Sequence, residues 1–85
     1  MYDIHWKSKA MKQLARIDSR ETRDAIYASV QSLRSFPEVA NVRKLKNHEH
    51  SHRLRVGRYR VMFEADGEVR IIHIEEVKKR DDRTY

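Results

Sequence analysis

The stretch HRLRVGRYRV, residues 52–61, alternates apolar and basic side chains on both sides of Gly57. A period of two marks strands with one buried face. Glycine at the first central position predicts a two-residue type II′ turn at Gly57-Arg58. Val56 then faces Tyr59, and Leu54 faces Val61. Further on, ADGE at 65–68 predicts a second hairpin, with a type I′ turn centred on Asp66-Gly67. That register puts Val61 opposite Ile72 and Tyr59 opposite Ile74. One sheet face therefore carries Leu54, Val56, Tyr59, Val61, Phe63, Ile72 and Ile74. On the other face Arg55 lies across from Arg60, and Arg60 across from His73, with Arg53 and Met62 flanking them. Like charges opposed in a sheet are destabilising. Such a row calls for an anion, and guanidinium forks match phosphate oxygens while keeping their charge. The competing reading is an exposed row balanced by Glu64, Glu75 or Glu76.

Upstream, YDIHW at 2–6 alternates as a short strand. Ser8 is placed to cap a helix whose apolar stripe is Met11, Leu14, Ala15 and Ile17. Asp18 and Glu21 have capping-box spacing ahead of a second helix burying Ala25, Ile26, Val30 and Leu33. Pro37 stops that helix near Ser35 or Phe36. Residues 38–51 read as a polar, irregular connection. Within and just beyond it, HEHSH puts His48, His50 and His52 on one side of an extended chain. No acidic second shell accompanies them, so a solvated loop is expected and no metal site. Trp6, Phe36, Tyr2, Tyr27 and Tyr59 read as packing residues. The expected fold class is α+β, in the order β-α-α-β-β-β. A helical hairpin packs on one face of a small, mainly antiparallel sheet that the first strand joins as an edge. Residues 1–85 make a single domain with no linker or repeat.

The 85 residues include 19 Lys and Arg against 13 Asp and Glu, a formal net charge of +6. That excess points to a polyanionic partner such as nucleic acid or the ribosome. The charge is concentrated: residues 41–60 hold seven Lys or Arg and one acid, Glu49. There is no cysteine, so neither disulfides nor thiolate zinc sites support the fold. No stretch approaches the ~20 apolar residues of a membrane span, and no signal peptide opens the chain. A cytoplasmic location follows as the expectation. The tail, EEVKKRDDRTY at 75–85, places Lys78, Lys79, Arg80 and Arg83 beyond the arginine face and ends on Tyr85. A base can stack on a tyrosine ring while the cations hold its phosphate.

The order strand, helical hairpin, three antiparallel strands, together with HRLRVGRYRVMFEADGEVRIIHIEEVKKRDDRTY, resembles the RelE/ParE superfamily of bacterial toxins. The resemblance is closer to the RelE branch. Its motif is a basic hairpin, R-L-R-x-G-x-Y-R-V, then a late K-R and a closing Tyr. The resemblance implies a ribosome-dependent endoribonuclease that cuts messenger RNA in the ribosomal A site without metal or other cofactor. It also implies a free monomeric toxin neutralised by a cognate antitoxin. Carried over residue by residue, Arg53 and Arg55 match two basic positions that bind phosphate and activate the ribose 2′-hydroxyl. Arg60 matches the arginine that stabilises the phosphorane-like transition state. Arg80 matches the one that protonates the leaving 5′-oxygen, and Tyr85 the aromatic that stacks on a codon base. Arg53, Lys46, Arg58 and Lys79 form the expected substrate-binding set. Relatives carry Lys where this chain has Arg55, and arginine, with a pKa above ~12, is a poor base. His73, beside Arg60 in the predicted register, and Glu75 are therefore the candidate auxiliary bases. Two other functions remain open: the ParE branch, whose members poison DNA gyrase, and a non-catalytic RNA- or ribosome-binding module.

Overall fold

The computed structural model describes residues 1–80. In chain order they form β1 (Asp3–Trp6), α1 (Ser8–Ala15), α2 (Arg20–Gln31), a 3-10 turn (Ser32–Ser35), β2 (Val42–Lys44), β3 (His52–Val56), β4 (Tyr59–Asp66) and β5 (Ile71–Lys79). The strands make one sheet in the order β1-β5-β4-β3-β2. Only β1 runs parallel to its neighbour β5. This is the expected α+β domain with one strand more. β2 arises within the stretch read as irregular, where Val42 pairs with Leu54, Arg43 with Arg53 and Lys44 with His52.

Both helices cover one sheet face. Ala10, Leu14 and Ile17 recur at i, i+4, i+7, as do Ile26, Val30 and Leu33, and all six are buried. Met11 lies about 100° around α1 from Ala10 and is 47% exposed, against the expected stripe. Ala25 likewise faces out. Ser8 is the first helical residue and not the cap, which is Lys7. On α2 the cap is Ser19, whose hydroxyl accepts from Thr22 N–H at 3.2 Å; the expected Asp18 box is not used. Arg23 stitches the turn between the helices by donating to the carbonyls of Ile17 and Asp18. The helices meet Leu54, Val61, Phe63, Ile72, Ile74 and Val77 from the sheet. At one end of this core Phe36 packs edge-on against Tyr2, Phe63 and His52.

The first hairpin has the expected register, Val56 opposite Tyr59 and Leu54 opposite Val61. Gly57 takes φ +57° while Arg58 does not, as a type II′ turn requires. The second hairpin differs. Asp66 pairs with Ile71, leaving a four-residue connection in place of Asp66-Gly67. The Asp66 side chain makes the turn itself, accepting from Glu68 N–H at 3.0 Å and Val69 N–H at 3.4 Å. A bulge then sets Glu75 opposite no single partner, since Phe63 pairs with Ile74 and Met62 with Glu76. Val61 consequently faces Val77, Tyr59 faces Lys79, and Arg60 faces Lys78 rather than His73.

Phe63 is fully buried at the centre of this packing and stacks on His52 with ring centroids 5.2 Å apart. Phe63→Ala removes the largest side chain shared by sheet and helices. The expected loss is about 3–5 kcal/mol of unfolding free energy, read as a fall in urea midpoint at unchanged m-value.

Candidate functional site

The sheet face away from the helices is built by register. Arg55, Arg60 and Lys78 stand in one row across β3, β4 and β5. The next row is Arg43, Arg53, Met62 and Glu76. Beyond β5, Arg80 N–H donates to Arg58 carbonyl at 2.6 Å, which carries Arg80 alongside the β3–β4 turn. The result is a cavity of about 200 Å³ lined by Arg43, Arg53, Arg55, Gly57, Tyr59, Arg60 and Arg80. Four of its five arginines, Arg53, Arg55, Arg60 and Arg80, are among the candidates that the sequence singles out. Arg43 is not, because the three-residue strand that presents it looks like loop. Its signal was the pairing partner Arg53, visible only once β2 is known to be a strand.

Other predicted residues lie elsewhere. Arg58 and Lys79 line a separate groove of about 580 Å³ with Ser19, Thr22, Ala25 and Val56, on the helix side of the turn. Gly57 and Tyr59 line both cavities. Lys46 sits exposed in the β2–β3 connection. Tyr85 lies outside the described residues. His73 faces Glu64, and its ring lies 5.5 Å from that of His5. Glu64 lies four positions along β4 from Arg60, about 13 Å. Glu75 occupies the bulge and pairs with Lys7 at 3.2 Å. Neither expected auxiliary base therefore reaches the arginine cavity. The longer turn and the bulge displace them.

Of the acids that could balance the row, Glu76 reaches it at Lys78, and Glu64 and Glu75 pair with other residues. Glu76, only 5% exposed, binds Lys9 at 3.0 Å, Lys78 at 3.6 Å and His50 Nε2 at 2.9 Å. Glu64 accepts from Ser51 N–H at 2.8 Å and faces His50 Nδ1 at 3.4 Å. His50 is thus buried between two carboxylates and pins the β2–β3 connection over Met62 and the open face. The three alternating histidines do not share a side. His50 points to this cluster, His52 packs in the core, and His48 Nδ1 accepts from His50 N–H. Burial lowers the His52 pKa, against the pull of Glu64 and with the push of Lys44. For Glu76, burial acts to raise the pKa. Hydrogen bonds from Lys9 and His50 and the charges of Lys78 and Lys9 outweigh it, and the carboxyl is lowered to about 2.

What remains in the cavity is suited to a phosphate. Guanidinium groups offer paired N–H donors to its oxygens and stabilise charge that develops on them. Among the described residues of the lining, the Tyr59 hydroxyl is the one side chain outside the arginines able to exchange a proton. The arrangement favours positioning and charge stabilisation over side-chain general-base catalysis.

Three comparisons bear on this geometry. The family model for the ParE toxin of type II toxin–antitoxin systems matches residues 4–83. Solved structures of similar fold include the archaeal RelE–RelB complex from Pyrococcus horikoshii, with 22% identity and TM-score 0.78 over 95% of this chain and 97% of that one. The RelBE2 toxin–antitoxin complex from Mycobacterium tuberculosis is 20% identical, with TM-score 0.77 over 93% and 98%. The isolated E. coli RelE toxin is 14% identical, with TM-score 0.78 over 95% and 86%. No curated protein matches the sequence.

The Glu76 cluster has a pH signature. Its folded-state pKa lies below the ordinary 4.5. Its stabilisation is therefore complete above about pH 5 and is lost as pH falls from 4.5 toward 2. Glu76→Gln is expected to cost on the order of 3 kcal/mol at pH 7. The gap to the unsubstituted protein should shrink by about half at pH 3, as read from urea midpoints across that range.

Proposed function

The chain belongs to the ParE toxin family of type II toxin–antitoxin systems, within the RelE/ParE superfamily, and from that premise we propose that it is an endoribonuclease of RelE type acting on messenger RNA in the ribosomal A site. The observation that carries this reading is the 200 Å³ cavity lined by five arginines. A polyanion backbone is the ligand whose charge, spacing and oxygen geometry fit it.

In the proposed reaction the ribose 2′-oxygen attacks the adjacent phosphorus and loses its proton to solvent water. The P–O5′ bond breaks, and the departing oxygen takes up a proton. The products are a 2′,3′-cyclic phosphate and a 5′-hydroxyl end. Arg53, Arg55 and Arg43 hold the phosphate oxygens and position the nucleophile. Arg60 neutralises the extra negative charge of the five-coordinate transition state. Arg80 protonates the 5′-oxygen, and Tyr85 stacks on a base. With arginine, a poor proton acceptor, at position 55, positioning and electrostatics supply most of the acceleration. Messenger RNA in the cytoplasm is the substrate. The partner is an antitoxin, as the RelB chains in two of the similar structures suggest. Its acidic side chains would occupy the arginine cavity in place of phosphate.

The match to the ParE family model favours a second reading, poisoning of DNA gyrase without nuclease action. Primer extension on ribosome-bound message separates the two. The proposal expects new 5′ ends only when ribosomes are present, reduced about 10²–10³-fold in Arg60→Ala and Arg80→Ala. Inhibition of gyrase supercoiling with intact message would replace it. Because His73 stands far from the cavity, His73→Ala should retain the cleavage rate within about two-fold. The pH–rate profile should then show no acid limb near the ordinary imidazole value of about 6.5.

A further inference from the structure

Glu76 holds two lysine ammonium groups, Lys9 of α1 at 3.0 Å from Oε1 and Lys78 of β5 at 3.6 Å from Oε2. The arginine row begins next to them, because Lys78 pairs across the sheet with Arg60. We propose that Lys9 and Lys78, gathered on Glu76, form a second phosphate subsite beside the arginine cavity, which takes the phosphate next to the scissile one on the same RNA strand. The inference rests on the endoribonuclease reading and deepens it.

Charge balance is the first argument. Two ammonium groups on one carboxylate leave a positive charge over. Burial turns that charge outward: the Glu76 side chain is 6% exposed, against 66% for Lys9 and 45% for Lys78. A molecule approaching the face meets the lysines and not the acid beneath them. The hydrogen bond to Glu76 also raises the Lys9 pKa above its ordinary 10.5, which keeps the ammonium charged.

Position is the second argument. Glu76 faces Met62, two residues along β4 from Arg60, a step of about 7 Å. Lys78 leans from the arginine row toward this next row. Phosphates of an unstacked strand lie farther apart than the ~3.4 Å rise of a stacked one, so the neighbour of a phosphate on Arg60 falls between the two rows. Lys79, expected from the sequence to bind substrate, is one residue out of phase and lines the groove on the helix side. Exchange is easy as well. Exposed ion pairs are weak and lysine stems flexible. When a lysine turns to phosphate, Glu76 still has His50 Nε2 at 2.9 Å and is not left unpaired.

The test is a chemical-shift titration by NMR at low salt with two uncleavable 2′-O-methyl RNA probes, a dinucleotide with one phosphate and a trinucleotide with two. The expected result is tighter binding of the trinucleotide. Lys9→Gln and Lys78→Gln should each weaken the trinucleotide about 2–5-fold more than the dinucleotide. Each should also lower the salt slope of trinucleotide binding by about 0.7. Lys78→Arg should restore both, whereas Arg60→Ala weakens the two probes alike. Equal loss on both probes in the glutamine variants overturns the subsite, as does no loss at all, and either outcome leaves the arginine cavity standing as an RNA site. If the unsubstituted chain binds neither probe, the RNA reading falls and the subsite with it.

Discussion

Between Ile74 and Val77 the last strand carries one residue more than its partner, and the placement of most functional groups follows from that insertion. Strict alternation would have turned Val77 away from the helices. With Glu75 in the bulge, Ile72, Ile74 and Val77 all reach the core. Glu76 turns to the open face, where Lys9, His50 and Lys78 meet it. Lys78 arrives beside Arg60, and the chain leaves β5 aimed so that Arg80 joins the β3–β4 turn. Bulges bend strands and re-aim side chains next to active sites in many sheets. Here one determines both the packing and the charge map.

The open face has electrical polarity. One end gathers arginines from β2, β3, β4 and the end of β5. The other gathers histidines and carboxylates from β1, β4 and β5. Between them Lys7–Glu75 and the Glu76 cluster form a belt of internal pairs. Directly opposed arginines cost some tenths of a kcal/mol per pair, a small sum against the burial of Phe63 and its neighbours. The fold can therefore sustain a concentration of like charge that a loop could not hold in place. A phosphate entering the cavity would meet guanidinium donors carried on paired strands, a scaffold that favours electrostatic stabilisation.

The first hairpin was readable because Gly57 dictates a turn and flanking alternation dictates the faces. The helices were readable from their spacing, although Met11 and Ala25 show how little one apolar residue at the stripe's margin signifies. The second hairpin misled because Asp66-Gly67 is a strong turn signal for main-chain geometry, while the Asp66 side chain builds a longer turn that costs no more. A clue did exist: Ile74-Glu75-Glu76-Val77 breaks the two-residue period and advertises an extra residue. His73 was placed beside Arg60 by the uncorrected register, and the candidate base disappeared with it. Arg43 was missed because a three-residue edge strand carries too few alternations to stand out. His50 was missed as a structural pin because its partners Glu64 and Glu76 are distant in sequence, and nothing local announces that a histidine will be buried between them.

The sheet's division of labour has a hereditary side. What makes the chain compact lies beneath the helices, and what would make it harmful lies almost wholly on the opposite surface. On the function proposed above, altering single guanidinium residues would disarm the toxin and leave the scaffold intact. Such silenced descendants would be rearmed by one reversion.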